Sequence, residues 1–120
     1  MTKIINKEIF KEEYINYVNK SEELTMLGDY KQNNIVVKEM LKFLRKNKNE
    51  SFFNEALNEL MSHNIPHIYM SAVNTSLSYN VNIDKAILIL EKVSKQENLG
   101  IYSQIAKINL KRYYSKNEKK

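Results

Sequence analysis

Apolar residues recur along this chain at intervals of three and four, with polar residues between them. That is the period of helices with one covered face. Phe10, Tyr14, Tyr17, Val18, Leu24 and Leu27 keep to such spacings apart from one step of six, and predict a first helix from about Lys7 to Leu27. Gly28 then reads as a left-handed stop. Asp29 reads as the N-cap of a second helix, its carboxylate accepting from free backbone N–H groups. The second helix is expected to reach about Lys46, with Val37, Met40, Leu41 and Leu44 inward. After the polar break Asn47-Lys48-Asn49, a third runs from about Glu50 to Ser62 with Phe53, Ala56, Leu57 and Leu60 inward. His63 to Pro66 is a turn, and Pro66 suits the first turn of a fourth helix, where its missing N–H costs nothing.

The fourth helix uses Ile68, Ala72, Val73 and Leu77 and ends near Tyr79. Asn80-Val81-Asn82 separates it from a fifth, about Ile83 to Gln96, built on Ala86, Ile87, Leu90 and Val93. Asn98-Leu99-Gly100 leads to a sixth, about Ile101 to Tyr114, built on Ile105, Ala106 and Leu110. The second half repeats at an offset of 33 residues: Ile68 to Leu77 lies over Ile101 to Leu110, and Phe53, Leu57 and Leu60 lie over Ala86, Leu90 and Val93. A period of two helices and two short breaks marks an array of helical hairpins. The fold expected is all-α, a HEAT-like right-handed superhelix of about three stacked antiparallel hairpins. Residues 1–114 form its single domain and 115–120 a flexible basic tail.

Composition agrees with this reading. Two glycines and one proline in 120 residues leave little provision for the special backbone angles of sandwiches, barrels or phosphate loops. Cysteine is absent, which excludes disulfides and thiolate metal sites. The chain becomes charged at once after Met1, without the apolar stretch of a signal peptide, and no window resembles a membrane span, so a cytoplasmic address is expected. The net charge of +5 is concentrated: residues 38–48 carry +4 and residues 111–120 another +4, leaving the remainder mildly acidic.

Gly28-Asp29-Tyr30, with Asn34 four residues after the tyrosine, resembles a small bacterial family, the domain of unknown function numbered two-thousand-nineteen. The similarity extends over about residues 8 to 114, with Pro66 opening a helix in a HEAT-like middle and Leu99-Gly100-Ile101 leading into the last helix. Members often carry a tryptophan in that helix; this chain has none, and Tyr113 stands near its place. The family carries no assigned activity. Small helical proteins of this kind resemble immunity proteins of bacterial toxin systems, which makes toxin inhibition an expectation.

Candidate chemistry is sparse. His63 and His67 are four apart, but Pro66 and the Asn64-Ile65 break divide them. Glu59 is the one conceivable third ligand, and zinc is not expected. Glu12, Glu13, Glu22 and Glu23 read as a solvated face beside Lys11 and Lys20 rather than a paired-carboxylate site. No nucleophile elbow or Gly-rich phosphate loop is present. Neither an enzyme nor a cofactor is therefore expected.

Lys38, Lys42 and Arg45 recur at i, i+4 and i+7 and share one face of the second helix. Such a stripe can speed association with an acidic partner or bind phosphate, besides complementing the helix dipole. Tyr69 and Tyr102 hold equivalent places in the repeat, and tyrosine is a large, stiff, amphipathic contact residue. The expected function is a non-catalytic module that binds another protein, of the immunity type, by steric and electrostatic occlusion. Nucleic-acid binding through the same stripe is the alternative.

Overall fold

The computed structural model describes residues 5–118, which form six α-helices and one short 3-10 turn, with no strand among them. The helices are α1 (Lys7–Met26), α2 (Tyr30–Asn47), α3 (Phe53–Leu60), α4 (Pro66–Ser78), α5 (Ile83–Ser94) and α6 (Ile101–Glu118); the 3-10 turn is Glu97–Leu99. No described helix is long and apolar enough to cross a membrane.

The breaks follow from local chemistry. Asn6 caps α1, its side-chain oxygen accepting from Ile9 N–H at 2.9 Å. Gly28 ends α1 at φ +72°. Its N–H reaches the Thr25 carbonyl while that of Asp29 reaches Leu24, the paired bonds of a Schellman stop. Asp29 then caps α2 by accepting from Gln32 N–H at 3.1 Å. Asn80 ends α4 in the same way at φ +58°, with its N–H on Leu77 and that of Val81 on Ser76. Asn82, also left-handed, spends its side chain elsewhere, donating to the Asn54 carbonyl of α3.

Side-chain bonds fix the helix directions. Ser21 Oγ donates to Asn33 Oδ1 at 2.6 Å, joining the end of α1 to the start of α2 as an antiparallel hairpin. His67 bonds Asn19, and Tyr14 bonds Ser71 and Thr75, so α4 runs against α1 and therefore along α2. Asn109 donates to Asn74 at 2.9 Å, and Tyr102 lies near Tyr69, so α6 runs along α4. Likewise Asn82 and Lys85 of α5 bond Asn54 and Asn58 of α3 in parallel order. Three helices, α2, α4 and α6, thus share one direction, and the other three alternate with them in sequence.

The core is aromatic where α1 meets α2 and α3. Phe10 stacks on Phe43 at 5.0 Å and meets Phe53 edge-on at 5.7 Å, while Phe53 meets Tyr79. Further along it becomes aliphatic, through Leu57, Leu60, Ile68, Val73, Ala86, Leu90 and Ala106. The 33-residue correspondence holds for Phe53 with Ala86, Leu57 with Leu90, Leu60 with Val93 and Val73 with Ala106, all buried pairs. It fails for Ile68 and Ile101, since Ile101 is 69% exposed. The reason is positional: α6 is the last helix, and no described helix covers its outer side.

Three other expectations are corrected. Val37 and Leu41, expected inward, are 40% and 49% exposed, whereas Leu44, expected inward with them, is buried, as are Phe43 and Asn47. Among the helices α2 packs substantially only against α1, so part of its apolar face is uncovered. Leu27 sits at the α1–α2 turn, outside the packed span, and is exposed. Residues from Ser115, expected as a flexible tail, continue α6 as far as Glu118. Nothing in that stretch breaks a helix, and Lys116 complements its negative pole. Lys119 and Lys120 lie outside the described residues.

Candidate functional site

Because α2 packs mainly against α1, a groove opens between α2 on one side and α4 and α6 on the other. Its volume is about 330 Å³. Val37, Met40, Leu41 and Leu44 form the α2 wall; Met70, Ser71, Asn74 and Thr75 line the α4 floor; Tyr102 and Ile105 form the α6 wall. Glu22 of α1 and His67 stand at the end where α4 and α6 begin.

The polar side chains of the floor are already engaged. Tyr14, fully buried, bridges Ser71 Oγ and Thr75 Oγ1 through its hydroxyl, each at 2.8 Å. Burial outweighs these two bonds and pushes its phenol up to about 12. Asn74 accepts from Asn109, and His67 is bonded to Asn19 at 2.8 Å. Burial first, and then the nearby Glu22 carboxylate, raise the Tyr102 phenol above its ordinary value.

Lys38, Lys42 and Arg45 are exposed along the outer side of α2. None of them has an ion-pair or hydrogen-bond partner among the described residues. Lys38 follows Val37 and Arg45 follows Leu44, so these two flank the groove wall. Lys42 turns further away and lines a second hollow of about 410 Å³ between α1 and α2, with Glu13, Tyr17, Glu39, Phe43 and Lys46. The basic stripe therefore straddles two surfaces, and the groove gathers only part of it.

The two tyrosines of the repeat, though near each other, line different hollows. Tyr102 belongs to the groove, whereas Tyr69 lies in a shallow hollow with Met61, His63, Ile89 and Val93 at the ends of α3 and α5. Gly28 and Asp29 make the turn described above; Tyr30 is 70% exposed at its tip, and Asn34 faces solvent. The hairpin bonds come from the adjacent Asn33, which accepts from Ser21 and donates to Thr25.

Comparison with protein families, curated proteins and solved structures finds no match to this chain. The groove must therefore be judged by its own chemistry. No group of three or more His, Cys, Asp or Glu suited to a metal occurs among the described residues. His63 and His67 are divided as expected: His63 Nδ1 accepts from Ile65 N–H in the turn, while His67 belongs to α4. Glu59 is held by Lys7 and Lys11, each at 2.7 Å, and these hydrogen bonds and charges lower its pKa.

Sequence reasoning missed the contributions of Met70, Ser71, Asn74 and Thr75, and that of Glu22, which it placed on a solvated face. The spacing of Met70 and Asn74 on one side of the fourth helix was visible. That a gap would open above them was not.

Proposed function

We propose that this chain is a non-catalytic protein-binding module, a HEAT-like helical stack acting in the manner of an immunity-type protein that occludes a partner toxin. The observation that carries the reading is the uncovered apolar wall of α2, Val37 and Leu41, set beside the cations Lys38 and Arg45, which have no ion partner among the described residues. Exposed aliphatic side chains bordered by free charge are the makings of an interface, with apolar anchors at the centre and a polar rim. The common direction of α2, α4 and α6 supports the stacked arrangement.

Capture on the tagged chain from native lysate, with and without nuclease, tests the reading. A stoichiometric protein that survives nuclease supports it. Nucleic acid that disappears with nuclease and weakens steeply with salt overturns it and moves the basic stripe to phosphate binding.

A further inference from the structure

We infer that the groove between α2, α4 and α6 receives an amphipathic helix of the partner protein, with its apolar face on the groove and acidic residues along the edge that meets Lys38 and Arg45. The inference rests on the protein-binding reading and adds the chemistry of the segment bound.

Two features of the groove select this occupant. The first is an α2 wall without polar side chains, over a floor whose polar side chains are each already in a hydrogen bond. Ser71 and Thr75 are engaged by Tyr14, Asn74 by Asn109 and His67 by Asn19. The α2 wall is entirely aliphatic or thioether. An extended peptide pressed along the α2 wall would bury backbone N–H and C=O groups against side chains that offer no hydrogen-bond partner, which is costly. A helix satisfies its own backbone and presents only side chains. The walls also have helical spacing: Val37, Leu41 and Leu44 stand at i, i+4 and i+7, and Tyr102 and Ile105 at i and i+3. These are ridges between which the side chains of another helix can seat.

The second feature is charge. Lys38 and Arg45 border the α2 wall with no ion partner among the described residues. Acidic side chains on the flank of the bound helix would meet these cations, favouring that orientation and speeding encounter. Glu22, beside Tyr102 at the end of the groove where the three helices begin, disfavours an acidic group on that side.

The test uses a displayed library of peptides of ~14 residues, about four helical turns, with leucine fixed at i, i+3, i+4 and i+7 and the flanks randomised. The whole chain is the bait. Enrichment of Asp and Glu on one flank is expected. The best peptide should lose binding to Leu41→Asp by at least about tenfold, and the Lys38→Glu/Arg45→Glu double variant should turn the preference to basic flanks. Circular dichroism of each variant verifies folding, which an exposed substitution should leave intact. No enrichment, enrichment without acidic residues, or undiminished binding to Leu41→Asp would overturn the inference. If both variants still capture the native protein partner in full, the groove inference fails while the protein-binding reading stands. If the wild type captures only nucleic acid, both fail.

Discussion

Tyr14 shows how one side chain links three parts of the molecule. It lies on α1, fills the core, and places its hydroxyl between two α4 hydroxyls under the groove. Tyr14→Phe should cost about 1–2 kcal/mol in urea unfolding at neutral pH, the net worth of the bonds lost. Its phenol moves from 10.0 to about 12 on folding, so the folded state holds the proton more tightly. The associated stability is present in full below pH 10 and drains away as pH rises toward 12, by roughly 2–3 kcal/mol at the limit. The alkaline loss measured for the wild type should therefore shrink in Tyr14→Phe. Ser76 is the opposite case: its hydroxyl is fully buried without a hydrogen-bond partner among the described residues. Ser76→Ala should stabilise the protein by about 1 kcal/mol, read as a higher melting temperature.

Among the helices, the stops matter more than the interiors. Gly28 sits at φ +72° with open space around its Cα, so an added methyl meets only backbone strain. Gly28→Ala should cost about 1–2 kcal/mol in chemical denaturation. These stops were readable because their chemistry is local: Gly28, Asp29 and Pro66 act within a few residues of themselves. Asn80 and Asn82 were recognised as a break, but not as two left-handed residues, since asparagine adopts that conformation only sometimes. The start of α3 was placed too early because residues 50–52 form a turn rather than helix before Phe53.

For the molecule as a whole, identical residues have very different value according to what covers them. Leu90 is fully buried where α5 meets its neighbours, and Leu41 is 49% exposed on the groove wall. Leu90→Ala should destabilise by about 2–5 kcal/mol, whereas Leu41→Ala should stay within about 0.5 kcal/mol, both read from urea midpoints. The contrast separates folding from recognition: residues whose change leaves stability intact while abolishing binding mark the working surface. The charges divide similarly. Glu59 ties α1 to α3 through Lys7 and Lys11, while Lys38 and Arg45 have no ion partner among the described residues.

Much of this protein follows from local rules acting along the chain. Apolar period, capping residues and two glycines specify six helices and nearly all their limits, and the 33-residue echo anticipates equivalent burial in α3 and α5. Those rules act over a few residues, so they reveal that a helix has an apolar face without revealing what lies against it. Val37, Leu41 and Leu44 share one periodic pattern, yet only Leu44 is buried. Tertiary packing decided that α2 would rest mainly on α1 and that Tyr102 and Tyr69 would line different hollows. The groove exists because a helix with one main neighbour cannot cover its whole apolar face.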